Sequence, residues 1–120
     1  MTESTKKAGD AGEEIAAQYL QNKGYQIIER NYRYGHGEID IIARINDTLV
    51  FAEVKSRSSL EYGEPEYAVT KAKQNQIKKI AQAYLFEKNI NNQDCRLDVI
   101  AIMFIAKNKY TLNHLENAFS

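Results

Sequence analysis

One cysteine, one proline and no net charge set this sequence apart, and each scarcity closes off a class of protein. A lone Cys95 excludes an intramolecular disulfide, so the chain is not a stapled secreted scaffold. No base is identifiable around it, and Cys95 reads as a plain residue at a strand edge. Sixteen basic residues balance sixteen acidic ones, which argues against a dedicated binder that grips nucleic acid through phosphate contacts alone. No window approaches the length of a membrane span, and Met1 to Lys7 carry no apolar stretch; the expectation is a cytoplasmic protein with no membrane partner. Repeats and low-complexity tracts are also missing. What remains is a chain of 120 residues, 43% of them hydrophobic, enough for one domain spanning 1–120 with a core of ordinary size.

The periodicity predicts a helix over about Lys7 to Lys23, a strand near Tyr25 to Tyr32, and a hairpin from Glu38 to Arg57. After a loop to about Ala68 come a helix from Lys71 to Lys88 and strands near Arg96 to Ile105 and Lys109 to His114. The second helix places Ala72, Ile77, Ile80, Ala81, Tyr84 and Leu85 on one face, with Thr70 as its N-cap. Because it crosses from the hairpin to a later strand, it predicts a partly parallel, mixed sheet covered by helices. Pro65 and Gly63 fall in the loop Ser58 to Glu66, which reads either as a segment closing over substrate or as an ordinary surface connection.

Within the hairpin, Asp40, Glu53 and Lys55 interrupt runs that are otherwise largely apolar. A turn at Asn46-Asp47 pairs residues whose numbers sum to 93. Asp40 then faces Glu53, Glu38 faces Lys55 and Ile42 faces Phe51, while Ile39, Ile41 and Ala43 meet Val54, Ala52 and Val50 on the other, wholly apolar face. Two carboxylates held opposite, with Cβ atoms about 4.5–5.5 Å apart, destabilise a bare sheet and call for a cation between them. With no Cys or His beside them, hard-oxygen chemistry selects Mg²⁺ or Mn²⁺, and with it a phosphate ester as substrate class. Lys55, two residues beyond Glu53 on the same face, is then placed to orient or deprotonate the attacking water or to neutralise developing charge. The plainer alternative has Lys55 bridging Glu38 and Glu53 as a cross-strand ion pair, with Asp40 turned to solvent.

Asp40 followed by Glu53-Val54-Lys55 after a hairpin turn resembles the PD-(D/E)xK motif of the restriction-endonuclease-like nucleases, with Ile39-Asp40 in place of the leading Pro-Asp. A wider string runs through Gly12-Glu13, Gly24-Tyr25, Asn31-Tyr32-Arg33, Gly37-Glu38-Ile39-Asp40, Glu53-Val54-Lys55-Ser56-Arg57, Arg96-Leu97-Asp98-Val99 and Asn117-Ala118-Phe119. It resembles the bacterial YraN family over nearly the whole chain. The helical Glu13 followed by a Gly-aromatic pair is also similar to the archaeal Holliday-junction resolvases. That likeness implies an α/β restriction-endonuclease-like three-layer core of order αβββαβ, a metal site of Asp40, Glu53 and Glu13, nucleic acid, most naturally DNA in repair or recombination, as partner, and a homodimer. The second expectation, from another class, is a non-catalytic nucleic-acid-binding or adaptor protein that keeps the fold; a third is a purely structural ion-pair cluster.

From the residues alone Glu13 has two readings. It shares a helix flank with Ala16, Ala17 and Leu20 and can border the packed face, or Asp10-Ala-Gly-Glu13 is an N-cap with its capping-box Glu. Candidate substrate contacts are Arg33, Arg57, Lys73, Gln74 and Gln76. Tyr32-Arg33-Tyr34-Gly35-His36-Gly37 offers aromatics for base stacking, or is a glycine-loosened turn in which His36 is incidental. Arg30, Lys71, Lys78 and Lys79 add local positive charge near the site. Asp98 has no role that its neighbours in sequence reveal.

Overall fold

The computed structural model describes residues 3–58 and 69–119, residues 3–9 as backbone alone. The order is α1 (Glu3–Asn22), β1 (Gln26–Tyr34), β2 (Gly37–Ile45), β3 (Thr48–Ser58), α2 (Lys71–Glu87), β4 (Asp94–Ala106) and β5 (Lys109–Leu115). Of the loop Ser58 to Glu66, read either as a segment closing over substrate or as a surface connection, Ser58 ends β3 and the remainder lies outside the described residues. All five strands join one mixed sheet in sequence order, antiparallel except for the parallel β3–β4 pair that α2 spans. Among the described residues no helix is long and apolar enough to cross a membrane.

Each face of the sheet is closed by one helix. Ala16, Ala17 and Leu20 of α1 pack on Ile41, Ala43, Val50, Ala52, Ile100 and Ile102. On the opposite face Ile77, Ile80, Ala81 and Tyr84 of α2 meet Ile39, Ile42, Leu49, Phe51 and Val99. Tyr84 stands edge-on to both Tyr32 and Phe51, with ring centroids 5.1 and 5.8 Å away, geometry worth about 0.5–1.5 kcal/mol per pair beyond the area buried. Thr70 caps α2 as expected, accepting from the Lys73 backbone N–H at 3.1 Å. Ala72, expected on the packed face, is exposed, because at 3.6 residues per turn it lies about 140° round the helix from Ile77, off the buried stripe of Ile77, Ile80, Ala81 and Tyr84.

Two glycines set how closely the helices approach. A Cβ on Gly12 would collide with Ser56 Oγ, so α1 rests directly on β3 there. A Cβ on Gly37 would sit 2.7 Å from Gln76 Nε2 and 2.8 Å from Ile80 Cδ1, so α2 lies equally close to the start of β2.

The hairpin turn at Asn46, with φ 52°, gives the expected register near the turn: Ile45 pairs with Thr48, Ile42 with Phe51 and Ile41 with Ala52. The ladder stops there and does not include the expected pairs Asp40–Glu53, Ile39–Val54 and Glu38–Lys55, the Val54 N–H going to the Asp40 side chain instead. The expected faces need correction at one end. Ile39, expected on the same face as Ile41 and Ala43, packs under α2 beside Ile42, while Ile41 and Ala43 pack against α1. The change of face coincides with Asn31 of β1, which takes φ 54°. Pairing runs from Arg30–Ile41 to Tyr32–Ile39 past Asn31 and Asp40, and across that step both strands turn their side chains to the other face. Alternation along a strand holds only while each residue stays in the β region.

Candidate active site

Asp40 sits where the strands change face, and its carboxylate reaches sideways into the sheet. Its Oδ2 accepts from the Val54 backbone N–H at 2.8 Å, a donor that strand β3 would otherwise offer to a neighbouring strand. Asp40 and Glu53 are both more than nine-tenths buried, which excludes the reading in which Asp40 turns to solvent. Burial, and then the charge of Glu53, push Asp40 up to about 8, against the opposing hydrogen bond from Val54. Glu53 is raised too, by burial, while Lys73, a hydrogen bond with Asp40, and Lys55 pull the other way. The two carboxyl groups are in contact and together disfavour double ionisation, the electrostatic condition that a cation relieves.

Glu13 and Glu38 complete the acidic side. Oxygens of Glu13, Glu38 and Asp40 lie within 4.8 Å of one another, while Glu53 joins them through Asp40 and not as a member of that triple. Helix α1 begins well before Asp10, so Asp10 is interior to it and the capping-box reading of Glu13 fails. Glu13 reaches the site because Gly12 lets its helix touch β3. All-oxygen, acidic, half-buried donors at this spacing suit a hard divalent cation such as Mg²⁺ or Mn²⁺ and offer no sulfur or imidazole to a softer one.

These groups line a cleft of about 400 Å³ together with Val54, Lys55, Ser56, Arg57 and Lys73. Lys73 Nζ stands 3.6 Å from Glu53 Oε2, delivered by the first turn of α2. Glu38 has its ion pair with Arg33 at 3.4 Å, so the cations recorded beside Glu38 and Glu53 are Arg33 and Lys73, not a bridging Lys55.

Of the expected substrate contacts, the cleft gathers Arg57 and Lys73 but not Arg33, Gln74 or Gln76. Arg33 is spread on the surface over Glu38. Gln74 donates to the Val69 carbonyl at 3.1 Å, holding the approach to α2, and Gln76 packs toward Gly37. Tyr32, offered as a stacking aromatic, is core: it is buried and donates to Glu87 Oε1 at 2.6 Å. Its neighbour Tyr34 is half exposed, and His36 is exposed in the turn after it. Lys78 lines a separate groove beside Phe119, and Arg30 pairs with Glu14 at 3.0 Å.

Residue-by-residue reading missed two members of this neighbourhood. Glu38 entered only as the cross-strand partner of Lys55 and within a motif, not as a member of the acidic site. Asn31 was noted only within a motif, although an Asn inside a strand signals the left-handed backbone that it tolerates. Asp98 acquires a structural role. Fully buried, it accepts from Arg96 Nε and Nη2 at 2.9 Å each and from the Asn117 N–H at 2.9 Å, and it lies 2.7 Å from His114 Nε2. His114 Nδ1 in turn meets the Tyr19 hydroxyl at 2.9 Å, so the network ties α1, β4, β5 and the segment after them together. Burial pushes the Asp98 carboxyl up, but the bonds from His114, Arg96 and Asn117 outweigh it and hold the group below the usual carboxylate range.

Comparison with known proteins gives one consistent result. The model of the uncharacterised protein family UPF0102 matches residues 12–102, from the glycine before Glu13 to the middle of β4. A UPF0102 protein of Alkaliphilus oremlandii is 52% identical over 116 residues, covering 95% of this chain and 98% of its own length. One from Chlorobium phaeobacteroides is 49% identical, covering 92% and 91%, and one from Clostridioides difficile is 43% identical, covering 97% and 99%.

Proposed function

The chain belongs to the uncharacterised protein family UPF0102, and for it we propose hydrolysis of nucleic-acid phosphodiester bonds with Mg²⁺ or Mn²⁺, on a sheet-and-helix core of the restriction-endonuclease type. The observation that carries the reading is the pair of buried carboxyl groups, Asp40 and Glu53, on the wall of one open cleft that also holds Glu13 and Lys55. Support for the fold assignment comes from the three-strand meander, the α2 crossover and the parallel β4.

Asp40, Glu13 and Glu53 are the proposed ligands, with Glu38 a fourth acidic group beside Glu13 and Asp40. A divalent cation bound there supplies the charge that lets the carboxylates ionise together and the Lewis acid that polarises a phosphodiester. The rest falls to the chain's own groups. The Val54 N–H holds the Asp40 carboxylate in one orientation. Lys55, which leaves β3 on the same face as Glu53, presents Nζ to the water that attacks phosphorus and to the charge that grows on the phosphoryl oxygens. Lys73 and Arg57, on the cleft wall, are the cationic contacts for the phosphate backbone. Water adds to phosphorus and gives up one proton to solvent, the bond to the leaving sugar oxygen breaks, and that oxygen takes up a proton from solvent.

The test measures Mg²⁺ and Mn²⁺ binding, and cleavage of linear, single-stranded and branched DNA, by wild type, Asp40→Ala and Lys55→Ala. Binding lost in Asp40→Ala and cleavage lost in Lys55→Ala is the expected pattern. Metal binding unchanged by Asp40→Ala sinks the site assignment, and DNA binding by the wild type without cleavage favours the non-catalytic adaptor reading.

A further inference from the structure

Three carboxylates converging from two elements repel one another unless something other than a cation also holds them. The side-chain amide of Asn31 contacts two of the three: Nδ2 donates to Glu13 Oε1 at 3.1 Å and to Glu38 Oε2 at 3.2 Å. Glu13 belongs to α1 and Glu38 to β2, so one amide on β1 links the helix carboxylate to the sheet carboxylate.

The backbone is shaped to deliver that amide. Arg30 and Asn31 are consecutive strand residues, which alternation sends to opposite faces. Yet Arg30 bonds Glu14 and Asn31 bonds Glu13, both on α1. The left-handed φ of 54° at Asn31 accounts for this, and it does so where the β1–β2 pairing steps past Asp40. Left-handed geometry is costly for most side chains and least so for Asn, Asp and Gly. Of these only Asn also brings N–H donors, and acidic oxygens are what lie in front of it.

We propose that Asn31 is the positioning residue of this centre, its amide fixing the Glu13 and Glu38 carboxylates beside Asp40 in the arrangement that takes up Mg²⁺ or Mn²⁺. The proposal rests on the metal-site reading above. Asn31 acts through the acidic side chains and touches neither cation nor substrate. Partners of this kind change metal affinity by about 10–100-fold when removed, because they set the orientation of the ligands.

The experiment is a Mn²⁺ titration, by calorimetry, of the full-length wild type and of Asn31→Gly, with thermal unfolding of each metal-free protein alongside. Glycine keeps the left-handed backbone and removes only the amide. The expected result is a Gly variant that unfolds cooperatively and binds Mn²⁺ about 10-fold or more weakly. Equal affinity in the two proteins overturns the positioning role and leaves the metal site standing. A wild type that binds no Mn²⁺ overturns the metal site itself, and this proposal with it. Should Asn31→Gly not fold, the wild type alone decides: the Asn31 side-chain amide signal in a ¹⁵N spectrum is expected to shift with Mg²⁺ along the binding isotherm. A signal that stays put at saturation overturns the proposal.

Discussion

The Asp40 carboxylate accepts the backbone N–H of Val54, fourteen positions further along the chain, at 2.8 Å. This one bond lies beyond the last β2–β3 pair, Ile41 with Ala52, and holds Asp40 beside Glu53. It also means that the acid is held by a donor that neither protonation nor metal binding removes. The consequences can be measured.

Stability of the metal-free protein is expected to fall as pH rises. Asp40 is pushed up to about 8 in the folded chain, so between its ordinary value and that one the folded state holds a proton that the unfolded state has lost. The stabilisation is complete below about pH 4 and declines toward pH 8. Asp40→Asn keeps an oxygen for the Val54 N–H and removes the charge. At pH 8 and without metal it should melt about 4 °C or more above wild type, corresponding to roughly 1 kcal/mol. Added Mg²⁺ should raise the wild-type melting temperature and leave the variant's unchanged, as calorimetric scans across pH will show.

Lys55→Met removes the ammonium and keeps most of the stem. Cleavage should drop by about 10²–10⁴, the usual contribution of a positioned proton-transfer or charge-stabilising group, while Mn²⁺ affinity is retained. Parallel titration and single-turnover assays separate the two. Loss of both together would make Lys55 part of the scaffold.

Gly12→Ala tests whether α1 must touch β3. Alanine favours the helix by about 1 kcal/mol over glycine, yet its Cβ would collide with Ser56 Oγ, and overpacking of this kind costs about 1–3 kcal/mol. The clash should win, because a serine hydroxyl one bond from its own Cβ has little room to retreat. Adding Ser56→Ala should recover most of the loss, with a coupling energy of about 1 kcal/mol in urea unfolding.

Asp98→Asn should cost about 3–5 kcal/mol, since it leaves Arg96 charged beside a buried partner that is no longer an anion. The Asp98 carboxyl is held below its ordinary value, so its contribution is complete above about pH 4 and disappears as pH falls through the folded-state value. Acid unfolding followed by circular dichroism is expected to show the variant at a large disadvantage at pH 7 and a smaller one at low pH.

Tyr32→Phe separates core from substrate surface. The hydrogen bond to Glu87, which with burial pushes the Tyr32 hydroxyl up to about 12, is the one polar link lost. A cost of about 1 kcal/mol in stability with unchanged DNA affinity is expected.

The amino-acid sequence by itself determined the element order, the hairpin register near the turn and the placement of Asp40, Glu53 and Lys55 at the hairpin's other end. Those follow from turn chemistry at Asn46 and from the period-two and helical spacing of aliphatic residues, which act over a few residues and leave a local trace. Tertiary structure decided the rest. Whether Glu13 capped its helix or served the cleft depended on where α1 starts and on Gly12 meeting Ser56, residues far apart in the chain. Tyr32, Gln74 and Gln76 looked available for ligand until the packing of α2 claimed them. Asp98 was mute because its partner His114 and the Tyr19 beyond it lie on other elements. Most of all, Asn31 breaks the alternation on which strand reading relies. Its left-handed backbone lies where β2 turns Ile39 to the far face and brings an amide between two carboxylates, an outcome set by what surrounds the residue in space.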